Sequence, residues 1–115
     1  MPIQDFEYGR IVIDGREEHR DLIITRSGLL PNWWRREGHL LVMEDLESIL
    51  DEPPAVLVVG TGTTGNMRTA PGLVEELAAR GVETEVMPTA QAVRRFNELL
   101  GLPEVDAAAA LHLTC

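Results

Sequence analysis

The residues of this chain whose types and spacing best suit chemistry lie in a glycine- and threonine-rich loop, residues 60–68, that follows an apolar run. Gly60, Gly62 and Gly65 have the G-x-G-x-x-G spacing of a dinucleotide-binding turn, in which backbone N–H groups and a helix N-terminus hold a pyrophosphate. The same stretch fits the first six positions of a phosphate-binding P-loop, G-x-x-x-x-G. This glycine loop therefore raises the question of an anion site.

The surrounding residues argue against a nucleotide. Five residues separate Gly65 from Pro71, where the next helical pattern begins, so that helix starts too late to meet a pyrophosphate. A ribose-binding acid belongs at the end of the next strand, whereas Glu85 lies inside it. A P-loop needs lysine and then serine or threonine after Gly65, but asparagine and methionine stand there. We therefore expect no nucleotide and no cofactor.

Two interpretations of the glycine loop remain open. In one it binds a small anion or metabolite, because it lies at the carboxyl end of a strand, where open α/β sheets bind ligands. Thr89 belongs to that site if the following strand ends beside the loop. In the other it is a strand-to-helix connection whose glycines supply positive φ angles. The candidate ligand-binding residues are Gly60, Thr61, Gly62, Thr63, Thr64, Arg68 and Thr89.

A second candidate site is the tryptophan segment, residues 33–36, which begins Trp33-Trp34-Arg35. Adjacent residues of a strand point to opposite faces, so one ring is expected in the core and one outside. Tryptophan and arginine dominate binding hot spots, and the segment therefore predicts a partner-binding surface formed by Trp33, Trp34 and Arg35. The alternative is one core anchor and one surface ring stacked on arginine.

Other reactive side chains form no recognisable constellation. The three histidines lack a metal-ligand spacing, and Cys115 is the single cysteine. Neither serine stands in a G-x-S-x-G turn. No pair of acidic residues can be chosen as acid and base. We therefore predict no metal site and no catalytic residue.

Composition limits the partners. The chain has 19 acidic and 10 basic residues and a net charge of −9, so it should repel nucleic acids and anionic lipid. All the basic residues are arginine, which excludes lysine chemistry. No apolar run approaches the ~18 residues of a membrane span, and the N-terminus lacks a signal-peptide pattern. A cytoplasmic location is predicted.

The elements that must position these residues form one α/β domain over residues 1–115. The first third predicts strands at 3–8, 10–13 and 18–25, with a turn at Asp14-Gly15, and a short edge strand at 29–34. A helix at 43–50 and a strand at 55–59 follow. The rest predicts helices from Pro71 to Gly81 and from Thr89 to Gly101, and strands at 82–87 and 105–113. This β-α-β-α-β order predicts a largely parallel core, which the N-terminal hairpin extends or covers.

Several short sequences occur in an order that resembles the Mth938-like domains of unknown function. They are Val12-Ile13-Asp14-Gly15, Asp21-Leu22-Ile23-Ile24, Trp33-Trp34-Arg35, Gly38-His39, Leu57-Val58-Val59-Gly60-Thr61-Gly62, Thr89, Arg95-Phe96-Asn97, Leu99-Leu100 and Ala107-Ala108-Ala109 with Leu111. The group includes mitochondrial respiratory complex I assembly factor 3 and an adipogenesis-associated cytoplasmic protein. The resemblance implies a three-layer domain with a central mixed sheet between helices and a β element, and no established catalytic residue. Some relatives carry a cysteine in the helix after the Thr89 position, where this chain has Ala92-Val93.

Two functions follow from these observations. The first is a non-enzymatic module that binds an unknown protein partner, as in the assembly of a larger complex, with no nucleic acid, membrane, metal or cofactor involved. The alternative is a small-anion or metabolite-binding protein, or an enzyme, that uses the glycine loop. A shared fold does not decide between them.

Overall fold

Ten strands, a 3-10 turn and three helices follow one another in the computed structural model, which describes residues 2–115. The strands are β1 (Ile3–Glu7), β2 (Arg10–Ile13), β3 (Arg16–Glu18), β4 (Leu22–Thr25), β5 (Gly28–Leu30), β6 (Leu40–Leu41), β7 (Val56–Thr61), β8 (Arg68–Thr69), β9 (Glu83–Met87) and β10 (Ala107–His112). The 3-10 turn is Met43–Leu46, and the helices are α1 (Glu47–Leu50), α2 (Leu73–Ala79) and α3 (Thr89–Leu100).

The central sheet has five strands in the order β5-β4-β10-β7-β9. β10, β7 and β9 are parallel to one another, and β4 and β5 add antiparallel pairs. The predicted α/β fold with a mixed sheet and a largely parallel β-α-β-α-β core is confirmed. The crossovers through α2 and α3 run in opposite directions across this sheet, so the same handedness places the two helices on opposite faces.

Alternation along β7 explains the two hydrophobic cores. Val58 packs with Phe96 of α3 on one face, whereas Leu57 packs with Leu77 of α2 on the other. All six residues of β7 are buried, as expected for a central strand covered on both sides. β10 lies beside it and is buried throughout, with alanines at Ala107–Ala110 where the flanking layers approach the sheet.

The N-terminal strands divide differently from the prediction. The expected strand at 18–25 is two strands, because Arg16–Glu18 pairs with β2 while Leu22–Thr25 joins the central sheet beside β10. The sequence is polar in the first part and apolar on both faces in the second, which suits a surface hairpin and a covered strand respectively. β1, β2 and β3 form a separate sheet whose Ile11 packs into the α3 core. The hairpin therefore covers the central sheet and does not extend it.

Three other elements differ from the prediction. The strand predicted at 55–59 is β7, which runs on through Gly60 and Thr61 of the glycine loop. The predicted edge strand at 29–34 ends at Leu30, since Pro31 lacks a backbone N–H and Asn32 has a φ of +57°. The tryptophan segment consequently lies in a loop and not on a strand. The predicted helix at 43–50 begins as the 3-10 turn and becomes α-helical only at Glu47.

Candidate functional site

Trp33 is fixed to the body of the domain at two points. Its backbone N–H donates to the carbonyl oxygen of Asp21 at 2.8 Å, and its indole Nε1 donates to the carbonyl oxygen of Asp45 at 2.8 Å. The Asp45 carboxylate in turn accepts the N–H groups of Arg36 and Val42. The half-buried ring therefore anchors the tryptophan segment.

Arg35 makes a second anchor. Its side chain is 4% exposed, and Nη2 lies 2.8 Å from Asp21 Oδ2. Nε and Nη2 both donate to the carbonyl oxygen of Gly38, at 3.2 and 2.8 Å. The guanidinium carbon lies 4.8 Å from the centroid of Trp33, so the cation stacks on this inner ring and not on the outward one. The buried charge is paired, although Nη1 has no hydrogen-bond partner within residues 2–115.

Asp21 is the centre of this cluster. Its Oδ2 lies 2.7 Å from His112 Nδ1, and its Oδ1 accepts the Leu113 N–H at 2.7 Å. Burial, the largest single influence, raises the pKa of this carboxyl group, but the hydrogen bonds from His112, Leu113 and Arg35 together lower it below its ordinary value. Arg35 Nη2, which is only a donor, also lies 3.1 Å from Nδ1. An ionised Asp21 is only an acceptor, and its contact with Nδ1 is the shorter at 2.7 Å, so we assign the proton to Nδ1 of His112 on that contact.

Trp34 has the opposite environment. It is 78% exposed and lines two cavities of about 360 and 480 Å³. The first is also lined by His19 and Arg20, and the second by Arg36, Glu44 and Glu47. The structure therefore brings the predicted partner-binding residues together, but it presents only Trp34 to solvent as a large apolar surface.

The glycine loop makes two close approaches that exclude a side chain. A Cβ on Gly60 would lie 2.8 Å from Thr89 Oγ1 and 3.1 Å from Thr89 Cα, because the first turn of α3 packs against the end of β7. A Cβ on Gly62, which has a φ of +106°, would lie 2.2 Å from the carbonyl carbon of Cys115. Both glycines therefore serve packing within the chain.

All six backbone N–H groups from residue 62 to residue 67 donate to oxygens of the chain itself. Thr63 donates to the Thr114 oxygen at 2.6 Å, and Thr64 and Asn66 donate to the Cys115 oxygen at 3.3 and 3.1 Å. The other acceptors are Thr89 Oγ1, Gly62 O and Thr61 O. A ligand could use the N–H groups of Thr63, Thr64 and Asn66 only by displacing residues 114–115.

Thr89 links three elements. It is fully buried, its hydroxyl accepts the Gly62 N–H at 2.8 Å, and it donates to the His112 carbonyl at 2.6 Å. The prediction that it lies beside the loop is therefore met, but its hydroxyl is used within the chain. Arg68 leaves the loop in β8, where its N–H pairs with His39, and Thr61 is buried in β7. Ligand binding by these residues stays a prediction.

Sequence reasoning missed Asp21 and His112. A signal was available at His112, because a polar residue between Leu111 and Leu113 in an apolar strand needs a buried partner. The partner itself carried no signal, since Asp21 lies 91 positions away. Only the antiparallel pairing of β10 with β4 brings their ends together.

None of the helices within residues 2–115 is long and apolar enough to cross a membrane. The same residues contain no group of three or more histidine, cysteine, aspartate or glutamate side chains placed to hold a metal ion. The cytoplasmic location stays a prediction.

Known structures share this architecture over almost the whole chain. A conserved hypothetical protein of Pyrococcus horikoshii OT3 is 31% identical, with a TM-score of 0.81 and 100% of both chains covered. A protein described as an outer membrane protein from Bartonella henselae is 26% identical, with a TM-score of 0.82 over 99% of this chain and 95% of that one. A Bordetella pertussis protein described as a Mth938-like domain shares the fold at 21% identity, with a TM-score of 0.75 over 97% and 85%.

The predicted resemblance to Mth938-like domains is confirmed by these structures and by a family model. That model, described as a protein of unknown function (DUF498/DUF598), matches residues 3–112. The chain belongs to this DUF498/DUF598 family of unknown function.

Proposed function

We propose that this domain is a non-enzymatic protein-interaction module that binds its partner through Trp34. The exposure of an indole that stands between two anchored residues carries the proposal. Trp34 is 78% exposed, while its neighbours Trp33 and Arg35 are hydrogen-bonded to the body of the domain. A partner that covers the ring removes apolar area from water, and a prearranged backbone lowers the entropy lost on association. Such aromatic anchors are typical of binding hot spots.

The charges beside Trp34 favour a particular partner chemistry. His19 and Arg20 line the cavity on one side of the ring, and Arg20 forms no ion pair with any side chain of residues 2–115. These bases stand out in a chain with a net charge of −9. An apolar side chain that covers Trp34, with an acidic group beside it to meet Arg20, would complement this surface.

Assembly of a larger complex is the role that we propose for this interaction. Its support is the resemblance to a family that includes a respiratory complex I assembly factor. The cytoplasm is the proposed location.

Affinity capture with the purified chain as bait tests the interaction. Trp34→Ala should lose the partner, because loss of a hot-spot tryptophan costs at least about 2 kcal/mol, which is about a thirtyfold weaker Kd. The matched control is Tyr8→Ala, which removes another exposed ring, 63% exposed, in the β1–β2 turn. Trp33→Ala is a poorer test, since Trp33 is an anchor of the fold.

A protein captured by the unaltered chain and by Tyr8→Ala, but not by Trp34→Ala, supports the proposal. Its Kd is then measured by calorimetry against all three chains. A captured protein that binds Trp34→Ala as tightly as the unaltered chain contradicts the role of this residue. The free energy of unfolding of Trp34→Ala should differ from that of the unaltered chain by no more than about 0.5 kcal/mol, as expected for an exposed position.

A further inference from the structure

Trp34 lines two cavities whose walls differ in charge. The cavity of about 360 Å³ has His19, Arg20, Asp21 and Arg35 in its wall. Asp21 and Arg35 form an ion pair at 2.8 Å, so their charges balance. Arg20 is exposed and forms no ion pair with any side chain of residues 2–115, and it therefore gives this cavity its positive sign. We call it the basic cavity.

The second cavity has the opposite sign. It measures about 480 Å³, and its wall includes the acids Glu44, Asp45 and Glu47. Apart from Arg35, which Asp21 already balances, the base that lines it is Arg36. Glu44 and Glu47 are exposed, and neither forms an ion pair with a side chain in the described part of the chain. We call this the acidic cavity.

The negative charge continues away from Trp34. A third cavity, of about 470 Å³, shares Glu44 and Glu47 with the acidic cavity and adds Asp51 and Arg80. Arg80 lies 3.9 Å from Glu76 of α2, so part of its charge is already balanced. Charges of one sign that line a concave surface reinforce one another and attract an opposite charge before contact. This flank of the domain therefore favours a basic group, whereas the basic cavity favours an acidic one.

A ligand that covers Trp34 and enters both cavities must carry both signs of charge. A nucleic acid or an anionic lipid surface presents negative charge alone, and the acidic cavity would repel it. A protein segment can place an acidic and a basic side chain on either side of an apolar one. In an extended segment, the positions two before and two after a residue share its face, so three such side chains can meet one surface together.

We propose that the partner covers Trp34 with an apolar side chain of an extended segment, whose acidic side chain enters the basic cavity and whose basic side chain enters the acidic cavity. This inference rests on the proposed function, since it describes the partner that binds through Trp34. It adds a direction to the interaction. A segment laid across the ring in the reverse direction would bring like charges together in both cavities, so the surface selects one orientation.

Three peptides with blocked ends test the charge pattern: Glu-Ala-Leu-Ala-Lys, Glu-Ala-Leu-Ala-Glu and Lys-Ala-Leu-Ala-Lys. Each is titrated to millimolar concentration into the full chain at low ionic strength, and the NMR shift of the Trp34 indole N–H reports binding. The first peptide should bind about fivefold more tightly than either of the others, because each of those replaces one exposed ion pair with a contact between like charges. Equal affinity for all three would overturn the inference and leave the proposed function standing. No shift with any peptide would also overturn the inference, and affinity capture then decides the proposed function separately.

Charge reversal at Arg20 tests the same inference from the side of the domain. Arg20→Glu makes both cavities acidic, so Lys-Ala-Leu-Ala-Lys should become the tightest of the three peptides. The matched control is Arg94→Glu, which makes the same change of charge at an exposed position of α3 that lines neither cavity. It should keep the ranking of the unaltered chain. An unchanged ranking in Arg20→Glu, or the same reversal in Arg94→Glu, would overturn the inference, because the cavity beside Trp34 would then not select the charge of the ligand.

Discussion

Replacement of Thr89 by valine is the sharpest test of how the three elements at the glycine loop are joined. Thr89 is fully buried. Valine has nearly the same shape as threonine but carries a methyl group in place of the hydroxyl. That hydroxyl accepts the Gly62 N–H at 2.8 Å and donates to the His112 carbonyl at 2.6 Å. In Thr89→Val both groups lose this partner in the interior.

The magnitude follows from those two groups. A buried donor or acceptor left unsatisfied costs about 1–3 kcal/mol, so Thr89→Val should lower the free energy of unfolding by about 2–6 kcal/mol. A domain of this size has a free energy of unfolding of about 5–15 kcal/mol, so the loss is a large share of the total. The backbone bond from Thr89 N–H to Gly62 O does not involve the hydroxyl and should persist.

Urea unfolding at neutral pH, followed by tryptophan fluorescence, measures the effect. The matched control is Thr89→Ser, which keeps the hydroxyl and loses one methyl group, a change of about 1 kcal/mol. Thr89→Val should therefore lower the free energy of unfolding clearly more than Thr89→Ser does. If valine is tolerated as well as serine, the hydroxyl does not join these elements and the reasoning is refuted.

Two further predictions concern the other long-range links. Asn97→Ala removes a reciprocal pair, in which Asn97 Nδ2 donates to the Ile3 carbonyl at 2.8 Å and Oδ1 accepts the Ile3 N–H at 2.9 Å. We expect the free energy of unfolding to fall by about 1–3 kcal/mol, with faster hydrogen exchange confined to β1. Hydrogen exchange that becomes equally faster in β7 would contradict this prediction. The pKa of Asp21 is lowered on folding, so its ionised form stabilises the fold above the unfolded-state pKa, and that stabilisation is lost as the pH falls through the folded-state pKa. At neutral pH, Asp21→Asn should lower the free energy of unfolding by about 3–5 kcal/mol, because Arg35 loses its counter-charge. Urea unfolding from pH 7 to strongly acidic pH should show that the variant lacks this part of the acid dependence. An identical pH slope in both chains would count against the prediction.

The central layer of the fold could be predicted because its signals are local. An unbroken apolar run at Val56–Val59 indicates a strand covered on both faces, and the helices on either side have regular apolar stripes and terminal glycines. The division of the chain after Glu18 could not be predicted in this way. Continuous β propensity does not say which sheet a strand joins, and that choice depends on the partner strand β10 at the far end of the sequence.

The candidate sites were predicted only in part, because sequence patterns report local features and many contacts in the sites are long-range. Residue types located the tryptophan segment and the glycine loop, but not what occupies their polar groups. Asp21 meets Arg35 and His112 through contacts between distant parts of the chain, and Cys115 meets the glycine loop at a separation of about fifty residues. No local pattern contains such pairings.

The buried ion pair of Asp21 and Arg35, with His112 hydrogen-bonded to Asp21, makes sense as a means of fixing geometry. Apolar residues of similar volume would often give equal stability, because removing charges from water offsets much of their attraction. An apolar cluster, however, would not set the path of an irregular loop, whereas a guanidinium offers donors in fixed directions. Here those donors hold the Gly38 carbonyl and the Asp21 carboxylate, while the main-chain carbonyl of Asp21 accepts the Trp33 N–H. Asp21 thus holds the residues on both sides of Trp34, Arg35 through its carboxylate and Trp33 through its main-chain carbonyl, so the exposed ring stands on a fixed stretch of backbone.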